Sequence, residues 1–215
     1  MKVKTVLLLR EAGDLSALPN LIAARPWAAQ AGRIAVQVGM AAPVEAGGDP
    51  VPPLYDAVVE IWSDAPVADA IAADPLFIAI KTDVRTSQEV VGKPGAGPGS
   101  GAAPMGVTPG LSQLSFIRAL DDLPRSEIER HWQEHIPLAK AIHVGMNRYV
   151  QDRLSPGGVD ASPWFGMAHL HFPDETALRD GLFRSADDIA VITADVAEFV
   201  ADHATMLAVE HIVKG

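Results

Sequence analysis

A glycine- and proline-rich stretch near the middle of the chain constrains the fold more than any other feature. Residues 92–110 hold seven glycines and four prolines. Proline lacks an amide hydrogen and glycine adds backbone freedom, so neither a helix nor a central strand is stable there. The stretch therefore predicts a linker between residues 1–91 and residues 111–215, each near the lower end of ordinary domain size.

Hydrophobic patterning gives the two halves the same predicted order of elements. In the first half the predicted strands are 3–9, 33–38, 55–62 and 86–91, and the predicted helices are 15–29 and 67–73. In the second half the predicted strands are 114–118, 147–153, 164–172 and 206–213, and the predicted helices are 126–142, 175–184 and 192–203. Each half is therefore predicted as β-α-β-β-α-β, the order of the ferredoxin-like fold.

The predicted sheets each need a partner. An antiparallel sheet with helices on one face leaves its other face open, and an exposed apolar sheet face promotes aggregation. A second unit in the same chain can cover that face. We therefore predict an α+β protein in which two ferredoxin-like units close into an intramolecular barrel. Weak sequence similarities between the halves favour an origin by duplication. Trp27 corresponds to Trp132, and residues 56–62 correspond to residues 165–171.

Composition excludes several classes of function. Seventeen basic and 27 acidic residues give a formal net charge of −10, which repels nucleic acid and anionic lipid. No apolar run approaches the roughly 18 residues that span a bilayer, so we expect a cytoplasmic protein without a membrane partner. With no cysteine, the chain has no thiolate nucleophile and no sulfur-rich metal site. The sequence does not decide whether the protein forms a homo-oligomer.

All seven histidines follow the Gly/Pro-rich stretch. His135 falls on the apolar stripe of the helix predicted over 126–142, three residues after Trp132, and Pro137 is expected to kink that helix. His135 is therefore either a packed core histidine or a pocket residue. Tyr149 is either a packing residue or a proton donor to a ligand.

The strand predicted over 164–172 alternates between two faces. One face carries small and apolar residues, and the other carries a mixed set: Phe165, Met167, His169 and His171. The mixed face suits a pocket wall, although a solvated strand face is the alternative. Neither histidine pair, 131/135 or 169/171, has a carboxylate at a recognised metal-binding spacing, so we expect no metal. Trp132 and Trp164 are further candidates for ligand binding.

Several motifs of the second half occur in a distinctive order. They are His131-Trp132-x-x-His135-x-Pro137-Leu138, residues 147–151, residues 164–170, Ala194-Asp195, Phe199-Val200 and Val209-Glu210. Together they resemble the EthD-like family of the dimeric α/β-barrel superfamily. The first half is similar but degenerate, since it keeps Trp27 and lacks the histidines. His169 and His171 depart from the Glu and Trp that are more usual on that strand.

The resemblance implies a ferredoxin-like fold that pairs sheet to sheet, and it leaves the reaction open. We predict a cofactor-independent enzyme of lyase, isomerase or cyclase type that acts on a hydrophobic, aromatic or polyketide-like small molecule. His169 or His171 would be the general base, and His135 could contribute. The alternatives are a cofactor-free monooxygenase, a non-catalytic small-molecule-binding protein of a degradation pathway, and a haem-binding protein.

Overall fold

The computed structural model describes residues 3–41, 52–95, 105–157 and 161–215. The strands are β1 (Val3–Arg10), β2 (Ala31–Met40), β3 (Ala57–Ser63), β4 (Lys81–Lys93), β5 (Gly106–Val107), β6 (Leu111–Ala119), β7 (Arg148–Leu154), β8 (Gly166–Phe172) and β9 (Val200–Lys214). The helices are α1 (Leu18–Ala23), α2 (Ala68–Ala72), α3 (Pro75–Ala79), α4 (Arg125–Glu134), α5 (Ile136–Ile142), α6 (Glu175–Gly181) and α7 (Ala186–Val196), with a 3-10 helix at Pro26–Gln30.

The described strands form one antiparallel sheet that closes on itself. Strands β1 to β4, the first unit, are arranged β2-β3-β1-β4, and strands β6 to β9, the second unit, are arranged β7-β8-β6-β9. Both arrangements are ferredoxin-like. Pairing of β4 with β7 and of β2 with β9 joins the units into an eight-stranded barrel, with the short β5 added at β9. The predicted fold class is confirmed.

Apolar side chains pack in three main layers. One lies between the first unit's strands and its helices and includes Leu7 and Trp27. A second fills part of the barrel lumen and includes Val6 and Phe116. The third lies between the second unit's strands and helices and includes Trp132. Alternation along each strand therefore sends one face to the lumen and the other to the helices.

A buried ionic network crosses the lumen from one unit to the other. The Lys4 ammonium lies 2.8 Å from a carboxylate oxygen of each of Glu60, Glu89 and Asp152. Burial alone would lower the pKa of Lys4, but the three carboxylates raise it above its ordinary value. Burial raises the pKa of Asp152, and Lys4 only partly offsets this. One cation thus holds acidic groups of both units together.

Gln37 extends this network to the strand pair that closes the barrel. Its Nε2 donates to Glu60 and to Glu210, at 2.9 Å in both cases. Glu210 also accepts from Arg148 Nη2 at 2.8 Å. These groups are almost completely buried, so each depends on its partners for compensation.

Several predicted boundaries are wrong. The helix expected over 192–203 is α7, which begins at Ala186 and ends at Val196, and β9 begins already at Val200. Ser185 sets the start of α7, because its side chain accepts a hydrogen bond from the amide of Asp188. The helix expected over 15–29 is interrupted before Pro26, and α3 was not predicted.

Other boundaries agree better with the sequence. The predicted kink at Pro137 is confirmed, since α4 ends at Glu134 and Pro137 lies in the first turn of α5. The division at 92–110 stays a proposal, because β4 continues to Lys93 and residues 96–104 lie outside the described residues. Within the described ranges, no helix is long and apolar enough to cross a membrane.

The network predicts a large stability loss when its cation is removed. Lys4→Met removes the cation from two buried carboxylates, Glu60 and Asp152, and from the half-buried Glu89, so the free energy of unfolding should fall by about 3–5 kcal/mol. The loss should shrink as the pH falls, because the folded variant then binds protons on these carboxylates. Urea denaturation at several pH values measures both effects.

The matched control is Arg130→Met. Arg130 and Glu134 form an ion pair of 2.7 Å with side chains 51% and 61% exposed, so its loss should cost less than about 1 kcal/mol. Equal losses in the two variants would contradict the structural role assigned to Lys4.

Candidate functional site

The second unit's sheet divides the predicted site residues into two groups. Met167, His169 and His171 lie on the lumen face of β8, whereas Ala168 and Leu170 face the helices. Trp164 lies on the lumen side, where its indole N–H donates to the Tyr55 hydroxyl at 2.8 Å.

Phe165 was expected to share a face with Met167, and this is wrong. Its ring lies 6.0 Å from that of Trp132, on the helix side. The alternation does not apply there, because β8 begins only at Gly166. A Cβ at Gly166 would lie 2.4 Å from the Trp132 ring, so glycine permits this close packing.

His169 is enclosed in the lumen. Arg148 Nη2 donates to its Nε2 at 3.0 Å, and the Ser112 hydroxyl lies 2.8 Å from the same nitrogen. A guanidinium can only donate, so Nε2 carries the lone pair and Nδ1 carries the proton. Burial, together with Arg148, holds the pKa of His169 well below its usual value. This imidazole is neutral, and its acceptor nitrogen is already used.

His171 occupies the same face. Its Nδ1 lies 2.8 Å from Asn147 Oδ1, and its Nε2 is buried without a hydrogen-bond partner in the described part of the chain. Burial and the charge of Arg148 lower its pKa to about 4. Neither His169 nor His171 lines the cavity described below.

One lumen group has metal-ligand composition. Potential ligand atoms of Glu60, His169 and Glu210 lie within 4.8 Å of one another. Lys4 and Arg148 already neutralise these carboxylates, and the tautomer of His169 places its proton on Nδ1, the nitrogen nearer Glu60. The group is therefore an ion-pair network rather than a preformed metal site.

A cavity of about 360 Å³ lies between the second unit's sheet and helices α4, α5 and α7. Its apolar lining consists of Ile117, Trp132, Ala139, Ala168, Leu170, Leu182, Phe183, Ile192, Val196, Phe199 and Val200. Its polar lining consists of Gln113, Ser115, His135, His143, Tyr149, Thr193, His203 and Thr205. An apolar cavity with a few convergent polar groups is the usual form of a small-molecule site.

Corresponding positions of the two units show how this cavity is kept open in the second unit. Leu7 in β1 and Ser115 in β6 correspond, because each pairs with the third residue of its unit's third strand. Leu7 lies opposite Val84 and packs in the first unit's core. Ser115 lies opposite Thr205, and both line the cavity. Small polar side chains thus replace apolar ones where space is left.

His135 forms the clearest catalytic arrangement in the cavity. It lies at the junction of α4 and α5, and its Nδ1 is 2.5 Å from Asp195 Oδ2 on α7. A carboxylate partner on Nδ1 fixes the tautomer and leaves Nε2 as the proton acceptor. Nε2 has no hydrogen-bond partner among the residues that the structure describes. His135 therefore lines the cavity with an imidazole whose orientation and tautomer are fixed.

Tyr149 provides a hydrogen-bond donor in the same cavity. Its oxygen accepts from Gln151 Nε2 at 3.0 Å. Burial raises the pKa of Tyr149 to about 12, and hydrogen bonds from the side chains of Gln151 and Trp132 only partly offset this. Because Gln151 donates to the phenol oxygen, the phenol proton can point toward a ligand.

Sequence reasoning missed part of this site. Asp195 entered only as part of the family motif, because nothing in its spacing relates it to His135, 60 positions away. His143 lines the cavity and was not selected, since its helix position carries no distinguishing motif. The polar residues Ser115 and Thr205 on two strands of the second unit, and the place of Asp195 in the family motif, were the available signals.

A comparison with protein families matches the part of the chain that forms most of the cavity wall. A model of the EthD domain matches residues 120–203, which include Trp132, His135 and Asp195. Over these residues the chain is similar to the EthD domain. No curated protein sequence compared with the chain matches it.

Solved structures of similar fold cover both the EthD domain and the first unit. An anthrone oxidase-like protein superposes with a TM-score of 0.60 at 11% identity, covering 100% of this chain and 94% of that one. A proposed monooxygenase from Lactobacillus acidophilus NCFM gives 0.51 at 11%, covering 97% and 93%. A protein described as a major regulator of staphylococcal pathogenesis gives 0.51 at 12%, covering 97% and 98%. At these identities the likeness establishes the fold alone.

The correspondence of the units predicts opposite responses to exchanged residues. Ser115→Leu places a larger side chain in existing space, so the free energy of unfolding should change by less than about 1.5 kcal/mol. Leu7→Ser leaves a void and a buried hydroxyl, and should cost about 3–5 kcal/mol. Thermal and urea unfolding of both variants measure the difference. Similar costs would show that the second unit's core is as tightly filled as the first.

Proposed function

We propose that the EthD domain binds a hydrophobic small molecule in this cavity and removes a proton from it with His135. The observation that carries the proposal is the hydrogen bond between His135 Nδ1 and Asp195. Asp195 orients the ring and stabilises the imidazolium that forms when Nε2 takes a proton. The arrangement supplies a base whose proton acceptor is Nε2, and a carboxylate that balances the positive charge of the protonated ring.

The surroundings of His135 indicate a carbon acid as the substrate. When Nε2 removes a proton next to a carbonyl group, the C–H electron pair moves to the carbonyl oxygen and forms an enolate. The free phenol proton of Tyr149 can donate to that oxygen and stabilise its charge. The enolate then cyclises, loses a leaving group or is reprotonated elsewhere. We assign the domain to this cyclase, lyase or isomerase class.

The cavity walls favour an aromatic or similarly hydrophobic substrate. Trp132, Phe183 and Phe199 contribute ring surfaces, and Leu170 and Ile192 contribute aliphatic ones. Asp195 places negative charge beside the base, which disfavours anionic ligands. Neither metal nor organic cofactor is needed for the proton transfer.

A cofactor-free monooxygenase is the second candidate. The fold is shared with a protein named anthrone oxidase-like and with one proposed to be a monooxygenase. The first step would be the same, because an electron-rich enolate can reduce molecular oxygen directly. The two candidates therefore differ in what consumes the enolate, and dioxygen is the required oxidant in the second.

Anthrone is a suitable probe, because it is a neutral aromatic carbon acid. Exchange of its methylene protons in D₂O without oxygen reports proton transfer. Oxygen uptake with formation of anthraquinone and water reports oxidation. Exchange without oxygen uptake supports the isomerase or cyclase class, whereas both together support the monooxygenase.

His135→Asn should lower the exchange rate by about 10² to 10⁴-fold, because amide nitrogen does not act as a base near neutrality. Asp195→Asn should lower it by at least about tenfold, because the imidazole loses its orienting carboxylate. His131→Asn is the matched control, since His131 is on the same helix but does not line the cavity. NMR of the methylene signal measures all three variants. Unchanged exchange in His135→Asn would refute this assignment.

The sequence-based hypothesis instead makes His169 or His171 the base, and the same assay separates the two. The enclosed positions of these rings behind the sheet lead us to expect that His169→Asn and His171→Asn keep the wild-type exchange rate when folded. A lower exchange rate in only one of these folded variants would identify that lumen histidine as the base.

Tyr149→Phe should lower the exchange rate by about 10²-fold, the usual cost of one lost oxyanion donor. Because the pKa of Tyr149 is raised to about 12, the phenol stays protonated in mildly alkaline solution. The ratio of wild-type to variant rates should therefore be flat between about pH 7 and pH 9. A ratio that falls toward one in this range would show that Tyr149 ionises and donates no hydrogen bond.

A further inference from the structure

His143 places a second, differently held imidazole in the same cavity. It follows directly after α5, and its Nδ1 lies 2.7 Å from the backbone carbonyl oxygen of Leu182. A carbonyl oxygen can only accept, so Nδ1 carries the proton. In a neutral imidazole the remaining nitrogen, Nε2, then offers a lone pair.

Two features keep His143 neutral. Burial lowers its pKa below the ordinary value, and the nearby His135 contributes in the same direction. The hydrogen bond to Leu182 acts against this shift but does not reverse it. The Phe183 ring packs edge-on at 5.2 Å and fixes the imidazole from the side. Across residues 3–41, 52–95, 105–157 and 161–215, no group hydrogen-bonds to Nε2.

The cavity therefore presents two imidazole acceptors and one phenol donor. His135 Nε2 is used by the proton transfer and Tyr149 by the developing oxyanion, which leaves the acceptor of His143 without a role. A buried acceptor that meets no donor in the bound state loses a hydrogen bond to water. A ligand that fits this set must bring a hydrogen-bond donor to His143.

We propose that the cavity selects neutral aromatic ligands bearing a hydroxyl group, and that His143 Nε2 accepts the hydrogen bond of that hydroxyl. The inference rests on the proposed function, because it concerns the same cavity, and it narrows the substrate to a phenolic carbon acid. An O-methylated analogue has lost the donor. A carboxylate has lost it too, and adds repulsion from Asp195.

Equilibrium binding tests this without any turnover. The probes are 2-naphthol, 2-methoxynaphthalene and 2-naphthoate, titrated into the full chain by isothermal calorimetry at constant pH. We expect 2-naphthol to bind about fivefold to tenfold more tightly than its methyl ether, the usual worth of one neutral hydrogen bond. The carboxylate should bind most weakly. Equal affinity for naphthol and ether, or no binding of either, would overturn the proposal.

Two variants assign the preference to His143. In His143→Asn the amide nitrogen can replace Nδ1 toward the Leu182 carbonyl, whereas the acceptor at Nε2 is lost. His143→Phe keeps the ring shape and loses both. Naphthol and its ether should bind equally to both variants, while His131→Asn keeps the wild-type preference. A preference that persists in His143→Asn with a native melting temperature would assign the hydroxyl to another group and refute the role of His143.

The binding test and the exchange assay fail separately. Exchange of anthrone that depends on His135, combined with equal affinity for naphthol and ether, overturns the phenol preference alone. A clear preference for naphthol without exchange overturns the catalytic proposal and leaves a phenol-binding protein.

Discussion

The buried ammonium group of Lys4 is the interaction on which the arrangement of the two units depends. It compensates carboxylates on β3, β4 and β7, and Gln37 and Arg148 extend the network to β9. Strands from both units therefore share one set of charges inside the barrel. Alternative registers of the closing strands would leave charged groups without partners, and an unpaired buried charge is costly. The network specifies how the units dock as well as holding them together.

The lumen and the helix side of the second unit give the histidines different surroundings. His169 and His171 are drawn into the ionic network or enclosed beside it, and burial with Arg148 keeps both neutral. The helix side of the second unit has a different environment, in which small and polar residues leave a cavity open. On that side His135 contacts the Asp195 carboxylate at 2.5 Å, and its Nε2 has no hydrogen-bond partner in the described part of the chain. The sheet thus separates the histidines of the lumen from the histidines that line the cavity.

The two units show how one strand arrangement serves two purposes. Trp27 and Trp132 pack in the helix-side cores of their own units. The first unit fills its core with side chains such as Leu7, whereas the second has Ser115 at the corresponding position. The first unit can therefore act as a packing partner that closes the barrel, which frees the second to hold a cavity. Duplication followed by divergence is one history that would produce this pattern.

The sequence by itself determined the order of strands, the ferredoxin-like units and their closure into a barrel, because period-2 patterning and local turn residues act over short distances. It also placed the candidate histidines in the second half. Only the tertiary structure decided which face of β8 meets the lumen and which meets the helices, since alternation gives two faces without saying what covers each. The pairing of His135 with Asp195, and the presence of His143 beside them, depend on how α5 and α7 pack across the sheet. Contacts between residues so distant in the chain leave no local pattern to read.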